Sequence, residues 1–130
     1  MIASLDAHTY LRARMSACSF KAGWRSLLLR AYDDPTDAEA FTTPATEDHL
    51  IVLVTRGQCE IEVFYRGKWH NAHYTAGSIG MTAPGEEVTL RWSDQPKHST
   101  LQLHIPPATL RACADELFGG QALAMPHSLA

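Results

Sequence analysis

No two cysteines of this chain lie close enough in sequence to share a metal ion or a redox cycle. Cys18, Cys59 and Cys113 are widely spaced and odd in number, with no C-x-x-C among them, so zinc binding and dithiol chemistry find no support. They are expected to be buried, reduced thiols of a cytoplasmic protein. A basic stripe is missing as well. The 11 Lys and Arg are scattered among 14 Asp and Glu, for a net charge of −3. Nothing here displaces counterions from phosphate, so the chain alone is not expected to bind DNA. No apolar run reaches membrane-spanning length, and Met1-Ile2-Ala3-Ser4-Leu5-Asp6 lacks the basic-then-apolar order of a signal peptide. The expectation is a cytoplasmic protein without membrane contact.

What is present is β-rich. An apolar fraction of 45% in 130 residues suffices for one domain with its own core. His49 to Thr55 is an apolar, β-branched run that stops at Arg56-Gly57. Cys59 to Tyr65 follows, Arg66-Gly67 turns it, and Lys68 to Tyr74 returns. Ser78 to Ala83 comes after Gly77 and is closed by Pro84-Gly85; Val88 to Trp92 and Ser99 to Ile105 complete the series. Short strands with glycine punctuation predict a sandwich or barrel. Upstream, Trp24 to Tyr32 reads as a strand ended by Asp33-Asp34-Pro35, and Asp37 to Asp48 as a loop with a short extended piece at Phe41-Thr42-Thr43. Leu5, Tyr10, Leu11 and Met15 could line a weak helix or belong to an arm packed on the barrel.

The pattern changes at Pro106-Pro107. Leu110, Cys113, Ala114, Leu117 and Phe118 fall at i, i+3, i+4, i+7 and i+8, which is one helical face, and Gly119-Gly120 supplies a stop. The organisation read from the chain is an arm or short helix over 1–23, a barrel over 24–105, a helix over 106–120 and a tail or linker over 121–130.

The stretches EDHLIVLVTRG (Glu47 to Gly57), GSIGMTAPGE (Gly77 to Glu86) and LHIPPATLRACADELFGG (Leu103 to Gly120), in this order, resemble the cupin sensor domain of AraC-family transcriptional regulators. The likeness covers Trp24 to Gly120 and rests on the joint order of its Gly and Pro positions. It implies a mainly β, cupin-like double-stranded β-helix, or jelly-roll barrel, with a C-terminal α-helix. It also implies effector binding, homodimer formation and DNA contact only through a helix-turn-helix domain that this sequence does not include. A C-terminal helix bears on dimerisation in that family, which points to Leu110 and Phe118 as interface residues.

Catalytic cupins carry His-x-His and a following Glu, with a late histidine in the second motif. Here only His49 fits; Glu47 stands two residues before it, the acidic position falls on Leu53 or Val54, and the late histidine on about Val88 or Thr89. One histidine and one carboxylate are too few for a firm site, so no metal and no other cofactor is expected. His70 and His73 are three apart on a strand and cannot chelate together. His98, beside a turn, and His127 are expected to be solvated. His104 points into the barrel if Leu103 packs outward.

No nucleophilic set stands out either: Ser78 lacks a G-x-S-x-G turn, and Gly77, Gly80 and Gly85 do not form a phosphate loop. The expected function is a ligand-sensing and dimerising domain, not an enzyme. A small cupin enzyme with an atypical metal site and a ligand-free dimerisation module stay open as alternatives. Candidate effector contacts are Arg30, His49, Tyr65, Trp69, Met81, Trp92 and His104, the aromatic or polar strand residues that could face inward.

Overall fold

A computed structural model describes residues 1–21, 23, 27–118 and 128–129. After a 3₁₀ helix over Ser4–Tyr10 come β1 (Arg14–Cys18), β2 (Leu28–Asp34), β3 (Ala38–Thr43) and β4 (His49–Arg56). Then follow β5 (Gln58–Tyr65), β6 (Lys68–Thr75), β7 (Ile79–Thr82), β8 (Val88–Trp92), β9 (His98–Ile105), α1 (Pro107–Phe118) and β10 (Ser128–Leu129). They form a six-stranded sheet, β1-β2-β9-β4-β7-β10, facing a four-stranded one, β3-β8-β5-β6. The pairings are antiparallel throughout these sheets. This is the two-layered jelly roll that the glycine-punctuated runs predict, with the expected C-terminal helix.

Two turns show why glycine stands where it does. Tyr65 pairs with Lys68 across a two-residue loop in which Arg66 and Gly67 both have positive φ, 50° and 77°. That geometry matches the twist of the flanking strands. At Gly57 (φ 81°) a Cβ would come 2.6 Å from the Lys97 carbonyl oxygen, so the β4–β5 turn closes only around a bare backbone.

Side-chain parity divides the six-stranded sheet into two faces. Leu28, His104 and Leu50 align in one inward row; Arg30, Gln102 and Val52 form the next, then Tyr32, Thr100 and Val54, and last Asp34 with His98. The outward rows hold Leu29, Ile51, Leu53, Leu101, Leu103 and Ile105, all half-buried. Apolar side chains on both faces explain why β4 reads as one unbroken apolar run. The inner core gathers Ala38, Phe41 and Trp92 with Leu11, Ile61 and Leu90 beside them. Val54, Cys59 and Tyr74 pack next to this group.

Several expectations need correction. The 37–48 loop holds a full strand, β3, whose bulge between Ala38 and Phe41 breaks the alternation that would reveal it. The 1–23 arm contains β1, again with a bulge, between Met15 and Ala17. The strand read from Trp24 begins at Leu28, with residues 24–26 outside the described ones. Within the 121–130 tail, Ser128–Leu129 pairs with β7. His127 and the Gly119-Gly120 stop lie outside the described residues.

The thiols and the helix differ from expectation too. Only Cys59 is buried, while Cys18 is half-buried and Cys113 exposed. On α1 Ala114 is buried, while Leu110, one turn before it, is half-buried. Cys113 and Leu117 lie on its flank, and Leu117 is 75% exposed. The Phe118 side chain is outside what the structure describes.

Candidate functional site

Between the sheets lies a cavity of about 130 Å³. Val52, Val54, Ile61, Val88, Leu90 and the Trp92 ring give it apolar walls, and Leu11 of the arm closes part of it. The Trp92 indole N–H donates to the Pro35 carbonyl at 2.9 Å, so Trp92 offers the interior only its ring. Phe41 meets that ring edge-on, with centroids 5.7 Å apart. The polar lining runs along β9, where His98, Thr100 and Gln102 alternate inward.

One end of the cavity is an internally paired polar cluster. His98, only 3% exposed, presents Nε2 to Asp34 Oδ2 at 3.5 Å, and its Nδ1 donates to the Pro96 carbonyl at 3.4 Å. Thr100 donates to the same Asp34 oxygen at 3.3 Å. Burial raises the Asp34 pKa, while the facing His98 and the Thr100 hydroxyl pull it back. Cys59 and Tyr74 stand close by; burial pushes the thiol up to about 11 and the phenol up to about 12. Cys59 is therefore a protonated thiol at neutral pH and not an activated nucleophile.

The opposite end is closed by the arm. Arg30, 2% exposed, reaches from the barrel floor and donates through Nη1 to the Ser4 carbonyl at 2.9 Å and through Nη2 to the Leu5 carbonyl. Ser4 Oγ donates to Asp48 at 2.6 Å, and the Ile2 amide to the Ala45 carbonyl at 2.9 Å. His104, 2% exposed, is held neutral because burial and the Arg30 charge lower its pKa to about 4, with Asp48 opposing. Arg30 Nε and His104 Nδ1 are buried with no hydrogen-bond partner among the described residues. His104 also lines an adjoining space of about 270 Å³, together with Ser4, Leu5, Glu47 and Asp48.

The structure sorts the candidate residues. Trp92 and Met81 line the central cavity, although Met81 pairs with Ile51 of the outward row and meets the cavity at its edge. Arg30 and His104 face inward at the arm's end. His49 does not: it pairs with Ile105 on the outward face, because parity with inward Leu50 turns it away. Tyr65 sits at a hairpin tip, 50% exposed, under the Arg66 guanidinium. Trp69 lies on the outer side of β6, opposite to inward Tyr74, where Arg91 covers its ring at 3.7 Å and pairs with Glu62 at 2.9 Å. His98 is buried rather than solvated, since β2 brings Asp34 against it. Gln102 and Asp34 were not among the candidates. The alternation His98, Thr100, Gln102, His104 was the signal for Gln102, whereas nothing local marks Asp34.

The sequence matches no protein-family model and no curated protein. Among solved structures the chain is similar to Fe(II)-HppE with the alternative substrate (S)-1-HPP: TM-score 0.51, 12% identity, covering 62% of this chain and 43% of that one. It is also similar to Streptomyces albus HEPD with 2-hydroxyethylphosphonate and Fe(II) bound: TM-score 0.50, 18% identity, covering 75% of this chain and 22% of that one. The fold is a cupin-like jelly roll. The likeness is one of fold, over less than half the length of either neighbour. Iron in such a barrel needs several histidine and carboxylate ligands converging on one point. No group of three His, Cys, Asp or Glu side chains comes together that way among the described residues. Glu47 is exposed and His49 faces outward, so that pair does not supply a cupin metal centre. Among the described residues no helix is long and apolar enough to cross a membrane.

Proposed function

We propose that this cupin-like domain senses a small molecule and relays its presence through the N-terminal arm, as the effector-binding part of an AraC-type transcriptional regulator and without catalysing a reaction. One observation carries the reading: Leu11 of the arm is part of the cavity wall, while Arg30 of the barrel grips the arm at Ser4 and Leu5. Cavity and arm are thus packed as one unit. An effector that fits the barrel better with the arm in one position than another shifts the arm's equilibrium by that difference in affinity. The inward Trp92, with Met81 at the cavity's edge, serves the effector; Arg30 and His104 serve the arm.

The partner proposed for assembly is a second copy, meeting through α1 at Leu110 and Phe118. DNA is reached only through a separate helix-turn-helix domain. Hydrogen exchange tests the relay. A small molecule that binds the barrel should change amide protection over residues 2–11 while β4 and β9 stay protected. A barrel ligand that leaves arm exchange untouched would overturn the relay. A chimera with an unrelated DNA-binding domain should then give a ligand-dependent reporter signal.

A further inference from the structure

The walls of the central cavity specify a class of occupant. Its volume, about 130 Å³, is slightly below that of an engineered apolar cavity of ~150 Å³ that takes up benzene. The four-stranded side is apolar around Phe41, Ile61, Leu90 and the N–H-satisfied Trp92, and calls for a flat or rounded hydrocarbon body. Across from it, β9 offers polar groups in one line. Two are already engaged, since Thr100 donates to Asp34 and His98 faces the same carboxylate. Gln102 is different. Its side chain lines the cavity and makes no hydrogen bond among the described residues, on a row between Arg30 and Val52. A primary amide both donates and accepts, so it suits a hydroxyl or carboxamide equally, yet it brings no charge to balance an ion. The Asp34 carboxyl group further along the same wall disfavours an anion and, engaged by His98 and Thr100, leaves no free counter-charge for a cation. Arg30, in the row of Gln102, does not line the cavity and is engaged by the Ser4 and Leu5 carbonyls, so burial there disfavours any ion.

We propose that the barrel takes a neutral molecule of single-ring size, its one polar group bonded to Gln102 and its ring among Leu90, Ile61 and Trp92. This assignment rests on the sensing reading above and narrows it. A body larger than a monocycle exceeds this volume, and Leu11 of the arm is part of the wall it would press against, which would give size itself a route to the arm.

Calorimetry on the whole chain tests the class with phenol and benzamide as neutral probes, benzoate and benzylamine as charged ones, and 2-naphthol as the oversized one. Phenol and benzamide should bind with millimolar affinity, at least about tenfold more tightly than the other three. Gln102→Leu, of similar volume, should weaken benzamide about tenfold without lowering the melting temperature. Val52→Phe should fill the cavity and abolish binding. Should Val52→Phe fold poorly, nuclear Overhauser contacts between phenol and the Trp92 ring in the wild-type protein locate the site instead, and their absence refutes it. Benzoate or benzylamine binding as tightly as benzamide overturns the neutral class, and 2-naphthol binding as tightly as phenol overturns the size limit; either leaves a ligand-binding barrel and the sensing reading in place. Unchanged benzamide affinity in Gln102→Leu overturns the role of that amide. Silence from all five probes refutes the class, while the exchange experiment on the arm still decides the relay.

Discussion

His98 and His104 stand on the same strand with the same inward parity, both nearly sealed from water, and the barrel treats them in opposite ways. His98 has a buried acid before it, Asp34, and a carbonyl behind it at Pro96. His104 has no hydrogen-bond partner for Nδ1 among the described residues, and burial, with the Arg30 charge second, keeps it neutral. Burial alone does not decide what a polar group costs; pairing does. One end of β9 is settled by its own contacts. The other is completed only when the arm lies across it.

The largest expected effect comes from unpairing the settled end. Asp34→Ala leaves both the His98 ring and the Thr100 hydroxyl buried without their partner and should cost about 4 kcal/mol in urea unfolding at neutral pH. A loss under about 1 kcal/mol would show that the pair is spectator to the fold. The next effect is a pH dependence of opposite sign at the two ends. His104 titrates at about 4 in the folded barrel and near its ordinary 6.5 when unfolded. The unfolded chain therefore takes up the proton first, and stability should fall by up to about 3 kcal/mol as pH drops from 6.5 to 4. Asp34 has a raised pKa, so the folded state keeps that proton longer, and its contribution wanes as pH rises through the raised value. Unfolding curves across pH should lose the acid-side decline in His104→Leu and the opposite slope in Asp34→Asn.

Smaller effects sharpen the contrast. Arg30→Met should speed amide exchange in residues 2–6 about tenfold, with little change in β9, because it frees the arm and not the sheet. His104→Leu at pH 8 should lie within about 1 kcal/mol of the wild type, since the buried Nδ1 has no partner to lose among the described residues. Leu110→Glu should separate a dimer in analytical ultracentrifugation while leaving the melting temperature nearly unchanged. A dimer that survives this change places the interface elsewhere, and a collapsed melting point assigns Leu110 to the core.

How far the sequence could be read depended on whether the signal was local. The β5–β6 hairpin is legible because Arg66-Gly67 is a two-residue turn between alternating strands. The helix start at Pro106-Pro107 is legible for the same kind of reason. β1 and β3 were obscured by bulges that shift the period of two. Within the site, strand parity separates the faces: inward Tyr74 and Ala72 put Trp69 outside, and inward Leu50 puts His49 outside. The Asp34–His98 pair was not legible at all. Its members are 64 positions apart, and only the β2–β9 register brings them together. His98 consequently looked like a surface histidine beside a turn.

Arg30 grips the arm by the carbonyl oxygens of Ser4 and Leu5, groups that every amino acid carries. The clasp is therefore blind to the letters written at Leu5 and sensitive only to where the backbone lies. Over evolutionary time the arm can exchange that side chain freely, and with it whatever outside surface it addresses, without giving up its hold on the barrel. Insertion or deletion of one residue before β1 is a different kind of change: it slides another pair of carbonyls under the guanidinium and resets the latch.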